Sequence, residues 1–285
     1  TSDPSVVDLD VNVKEGTTGS FTAGAGYSTA NGALFNTKIS ENNVFGTGNK
    51  VNLNLDFGSQ ISNQVLSFDN PRVNDSFVSA GADLLRTTRQ YQDFNRELEG
   101  GSTTVGYPAE LIFGSWAEDM SLTLKYELLR VNIRDVDSEA AQLVKDSRGF
   151  STSSAVTPSL SRSTINNPTN PTSGSRQNLS AEIAGLGGDQ DFWLFEARNA
   201  WYYPLLTGEF GELTLADRTS FGYGQSMNNN PFPLFRRFFP GGINSVRGYR
   251  NRTLGPTDIN GQEYGGSKQL VNNVELIFPL VNSAG

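Results

Sequence analysis

Phe235–Arg250 reads FRRFFPGGINSVRGYR. Gly241, Gly242 and Gly248 let the backbone turn where a side chain would clash, so the segment can fold tightly and lie against another surface. Arg247 stands between Val246 and Gly248, followed by Tyr249, so its planar guanidinium can reach a carboxylate past an uncrowded backbone. On spacing alone an ordinary surface hairpin with a solvated arginine is the favoured reading. What flanks it decides between the two.

Upstream, Leu213–Tyr223 alternates, with Arg218 on the same parity as Thr214, Ala216, Ser220 and Gly222, while Asp217 interrupts the apolar parity. Downstream, Lys268–Leu280 alternates with Glu275 between Val274 and Leu276. Asp191–Tyr203 places Trp193, Phe195, Ala197, Trp201 and Tyr203 on one face and Phe192, Leu194, Glu196, Arg198 and Tyr202 on the other. An aromatic-ended apolar face suits lipid and its interface. Arg198 there would cost about 2–4 kcal/mol at mid-depth, so Glu196, Arg198 and Arg218 are expected to face a lumen.

The same period recurs along the chain. Val51, Leu53, Leu55 and Phe57 alternate with Asn52, Asn54 and Asp56 in Lys50–Phe57, which pairs with Ala33–Val44 around the turn Phe45–Asn49. Further strands are expected at Asn63–Asp69, Phe77–Gln90, Ser102–Glu110, Met120–Arg134 and Gln177–Ala184. The turns near Asp69–Asp75 and Phe113–Asp119 read as compact, and those near Tyr91–Gly101 and Asp135–Gly149 as longer and polar, the asymmetry that a bacterial barrel shows between a short-turn periplasmic rim and a long-loop extracellular rim. A short helix at Ser138–Lys145, capped by Asp137 or Ser138, is expected as an external decoration of the last of these. Ile165–Arg176 carries two prolines and a Gly-Ser pair and reads as a turn. An open soluble sandwich would show the same alternation, so periodicity fixes the strands and not their solvent.

Composition removes other classes. The 285 residues are 36% hydrophobic with a mean hydropathy of −0.39, and no apolar run reaches the ~18 residues of a membrane helix. A transmembrane barrel hides its apolar half in alternation, and 30 Gly, 18 Phe and 9 Tyr suit strands, turns and aromatic girdles. No cysteine is present for a disulfide or thiolate metal site, and no histidine for a general base or metal ligand. No metal, cofactor or catalytic group is expected. A net charge of −8 argues against a nucleic-acid partner.

The VRGY core, with Phe238-Phe239-Pro240-Gly241-Gly242 before it and Leu254-Gly255-Pro256 after it, resembles the long sixth extracellular loop of the outer-membrane barrel insertases and translocases. That family unites barrel assembly with two-partner secretion. The resemblance spans essentially the whole chain, and its barrel-assembly insertases are the nearer match. It implies an all-β fold, an antiparallel transmembrane β-barrel over residues 16–285 with about twelve of an expected ~16 strands present. The loop over residues 225–267 would fold back into the lumen, where Arg247 pairs with Glu275. Val6–Glu15 would be the closing strand of the last periplasmic polypeptide-transport-associated (POTRA) domain, residues 1–15. Because the chain stops at Ala284-Gly285, further C-terminal strands are expected beyond it.

Gly19–Ser28, with Gly19, Phe21, Gly24, Gly26 and Tyr27, matches the family's first barrel strand, a weak seam where client strands add. The implied function is folding and insertion of β-barrel proteins into the bacterial outer membrane. The implied partners are the lipid bilayer, unfolded outer-membrane clients and accessory lipoproteins. A two-partner secretion translocase and a passive porin remain as alternatives at this point. An enzyme would lack the usual Ser-His base.

Overall fold

The computed structural model describes residues 16–28, 32–208 and 211–278. The POTRA assignment to residues 1–15 lies outside them, as does the end of the strand expected at Lys268–Leu280. The strands are β1 Gly19–Ser28, β2 Gly32–Glu41, β3 Lys50–Gly58, β4 Ile61–Asn70, β5 Ser79–Gln90 and β6 Asn95–Pro108. They continue as β7 Met120–Arg134, β8 Gly149–Ser163, β9 Gly174–Ala184, β10 Phe192–Gly208, β11 Gly211–Ser226 and β12 Lys268–Ile277. Each strand pairs with the next, giving one 12-stranded antiparallel sheet in the order β1 to β12.

Register carries one parity across the sheet. Phe21, Ile39, Leu53, Leu66 and Leu84 are successive partners, and the row reaches Leu128 through Gly101. A parallel row joins Val156, Ile183 and Trp193. Phe21, Ile39, Leu66, Leu84, Leu128 and Ile183 are exposed although large and apolar, as an outward face against lipid requires. The opposite parity is a polar ladder. Asn63 donates to Asp56 at 3.2 Å, Ser67 to Asp83 at 2.6 Å and Ser102 to Asp83 at 3.1 Å. Asp217 lies on the outward parity between Trp201 and Val274, its carboxylate taking a 2.6 Å bond from Asn272.

Several boundaries differ from the sequence expectation. β6 begins at Asn95, so the loop placed at Tyr91–Gly101 shrinks to Tyr91–Phe94, closed by the Tyr91 amide on the Phe94 carbonyl at 2.9 Å. The loops therefore do not divide into a short-turn rim and a long-loop rim as expected. β8 was not distinguished as a strand, because FSTSSAVTPSLSRS has too few apolar residues to show a face. Its ladder to β9 skips from Val156 to Ser159, where Pro158 has no N–H to give.

The expected helix at Ser138–Lys145 is reduced to α2, Gln142–Asp146; Asp137 instead takes the Glu139 amide at 2.8 Å in the turn before it. Nor is it a decoration. Ala140, Ala141 and Val144 are buried with Leu129, Val131, Ile133 and Leu234, so the segment packs on the polar-parity wall where β7 turns apolar. The only other α-helix among the described residues, α1, spans Glu110–Phe113.

Candidate functional site

The connection between β11 and β12 covers residues 227–267, two residues shorter at its start than expected. Its stem is a miniature hairpin: the Phe238 amide and carbonyl exchange bonds of 2.8 and 2.9 Å with Gly266. Arg237 spans the stem, donating to the Phe232 and Gly265 carbonyls at 2.9 Å each. Burial pushes the Arg237 guanidinium below its usual value.

Aromatic side chains seat the stem on the sheet. Phe232 and Phe235 meet the buried Phe192 ring edge-on at 5.6 and 6.2 Å. The wall beneath is β11 glycine. A Cβ on Gly222 would stand 2.1 Å from the Phe238 ring, and one on Gly224 2.2 Å from Phe232. Arg252 is clamped between Phe239 at 3.6 Å and Tyr91 at 4.1 Å, with burial pushing its guanidinium down to about 10.

The tip follows the spacing of its glycines. Gly241, Gly242 and Gly248 have φ of 115, 90 and 86°, a region that favours glycine. The Gly241 amide donates to Ser245 Oγ at 2.8 Å and the Gly242 amide to the Tyr249 carbonyl at 3.1 Å. This turn presents Arg247 to β12, where its guanidinium pairs with Glu275, and Asn273 donates to the Ser245 carbonyl at 2.9 Å. Val246 is half-buried and Tyr249 exposed.

Glu275 is shared, since Arg218 reaches its other oxygen at 3.5 Å. Glu196 and Arg198 bind each other at 3.2 Å on β10. All of these line one cavity of about 720 Å³ between tip and wall, together with Arg176. The structure thus gathers Arg247, Glu275, Arg218, Glu196 and Arg198 into one polar chamber. The strand Gly19–Ser28 stands apart as the sheet's first edge, paired with β2 on one side. Phe21 and Tyr27 on it are exposed.

A second ionic anchor went unmarked in the sequence. Arg236, on the 3₁₀ turn Leu234–Arg236, reaches Glu182 of β9 at 2.8 Å and Glu127 of β7 at 2.5 Å. Lys125 also pairs with Glu127. Burial alone would push the Arg236 guanidinium down, but Glu182 and Glu127 more than offset it and hold it above its usual value. Its side chain is 22% exposed against 61% for Arg247. Arg236 is therefore the desolvated anchor and Arg247 the wetter one.

An ordered antiparallel meander, apolar outside and polar inside, with a long loop seated on the inner wall, defines an outer-membrane β-barrel chain. The chain belongs to the Omp85 superfamily, whose domain profile matches residues 43–285. It is 32% identical over 275 residues to the outer membrane protein assembly factor BamA of Nitratidesulfovibrio vulgaris, covering 95% of this chain and 33% of that protein. BamA of Neorickettsia risticii is 30% identical, with 95% and 36% covered. The sorting and assembly machinery component 50 homolog A of Xenopus laevis is 26% identical, with 84% and 49% covered. The chain thus spans about a third of the length of its bacterial relatives. The crystal structure of BamA from Haemophilus ducreyi lacking POTRA domains 1-3 superposes with a TM-score of 0.82 at 22% identity, over 95% of this chain and 55% of that one. It shares the fold.

Proposed function

We propose that the chain is the barrel wall of an assembly factor that folds β-barrel proteins and inserts them into the bacterial outer membrane. The relatives named as assembly factors support this reading, and the observation that carries it is the state of β1. Gly19, Gly24 and Gly26 deprive that strand of side-chain packing, so a pairing along the edge it turns away from β2 is weakly held and opens readily. An edge of unpaired N–H and C=O groups costs several kcal/mol per group in hydrocarbon. A client strand that pairs there removes the cost for itself and for the edge together.

No covalent step is needed. The lipid bilayer, the unfolded client and accessory lipoproteins are the partners, and a POTRA domain ending near residue 15 would hand clients to the rim. Arg247 and Glu275 keep the tip on β12, so the lumen stays occupied while strands are exchanged. The test uses the full-length protein in phospholipid vesicles with a urea-denatured client barrel. Client folding should run several-fold faster than in empty vesicles. Unchanged folding with a large, steady conductance would instead make the chain a passive pore.

A further inference from the structure

We infer that the β6–β7 turn is a membrane anchor, with Leu111, Ile112, Phe113 and Trp116 entering the lipid interface at the rim opposite the long loop. The turn spans residues 109–119, and these four side chains are its large apolar ones, all exposed, Trp116 to 70%. Phe113 and Trp116 pack ring to ring at 6.0 Å. Each keeps about half or more of its surface open.

Part of this turn's backbone is paired within the hairpin. Ala109 donates to the Met120 carbonyl at 3.0 Å, Phe113 to Ala109 at 2.9 Å, Gly114 to Glu110 at 2.8 Å and Ala117 to Gly114 at 3.0 Å. Ala109 and Ala117 are fully buried and hold the turn to the hairpin. With these amides paired and the remaining backbone groups still in reach of interfacial water, the turn can set its apolar side chains into the lipid interface at less cost than an ordinary loop.

Lipid is the occupant because the turn continues the outward face. Tyr107 pairs with Leu122 and Val105 with Leu124 on that parity, in the last residues before the chain turns and the first after it. The two preceding turns on the same rim each add an aromatic: Phe45, 99% exposed, between β2 and β3, and Phe77, also exposed, between β4 and β5. At the opposite rim Tyr91 and Phe94 instead pack on each other at 4.8 Å, with Phe94 buried. The turn's charges are Glu110, Glu118 and Asp119, which suits an interface entered by apolar contact and not by attraction to anionic headgroups. The inference rests on the outward face being lipid-facing and not on the assembly activity.

These residues contain no cysteine, so single labels are clean once any cysteines elsewhere in the full-length protein are replaced. Nitroxides at Ile112→Cys, Leu53→Cys and Asn260→Cys would be compared in phospholipid vesicles by their accessibility to oxygen and to a water-soluble nickel chelate. The anchor predicts an oxygen-to-nickel ratio at Ile112 several-fold above that at Asn260, approaching that at Leu53. A water-like ratio at Ile112 with a lipid-like one at Leu53 overturns the anchor alone, and a water-like ratio at both overturns the outward face beneath it. An Ile112 label shielded from both reagents and immobilised would mean that protein, not lipid, covers the turn.

Discussion

Arg236 and Arg247 sit eleven positions apart on one loop, yet their surroundings assign them different work. Removing one member of a buried ion group leaves the others uncompensated, so Arg236→Ala should lower the unfolding free energy by about 3–5 kcal/mol in urea titrations. Arg247→Ala removes a mostly exposed guanidinium from a Glu275 that Arg218 still compensates, so it should cost about 0–1 kcal/mol. Equal losses would contradict the ranking of the two anchors. Because Arg218 shares Glu275, Glu275→Ala should cost more than Arg247→Ala. The Arg247–Glu275 double mutant should be non-additive, and additivity within about 0.5 kcal/mol would mean that the two do not act together. Arg247→Lys should rescue only in part, since an ammonium lacks the planar fork. Arg247 and Glu275 were legible because a glycine-framed motif and one strand carry them. Arg236 was not, with partners 54 and 109 positions away and a second arginine beside it whose hydrogen bonds go to carbonyls.

At the scale of the element, β11 is shaped by what lies on it. A methyl at Gly222 would enter the Phe238 ring, so Gly222→Ala should cost about 1–3 kcal/mol and open residues 227–267 to protease, read by digestion in detergent. Undiminished protection would mean that the stem does not seat there. Gly26 faces open space within 4 Å, so Gly26→Ala should instead firm β1 by roughly 0.5–1 kcal/mol and slow client folding in vesicles. Faster folding would argue against a weak seam. Strands with strong alternation, such as Lys50–Gly58, were legible, whereas β8 was hidden by its serines and threonines. The start of β6 was hidden by the charged run Asn95–Glu99, whose Glu97 and Glu99 find Arg134 and Arg86 across the ladder on neighbouring strands. The packing of α2 was invisible for another reason: its buried alanines and Val144 meet a wall assembled from β7 and the distant Leu234.

Across the whole molecule, a single parity runs from Phe21 on β1 to Leu276 on β12, and it separates an apolar exterior from an interior that holds the loop. Periodicity alone left open whether that exterior faced lipid or a second sheet; the glycine-framed loop closed the question by pointing to a barrel family. Such a chain should fractionate with outer membranes and need detergent, and a soluble monomer at high concentration would contradict the exterior assignment. The central claim is that the β1 edge receives client strands. Its most direct measurement places single cysteines along Gly19–Ser28 of the full-length protein and traps a client barrel part-way through assembly. Disulfides from β1 to one client strand, running in antiparallel register along the edge, are the predicted result. Crosslinks that form only to the barrel's own last strand, with the client uncaptured at every position, would contradict it.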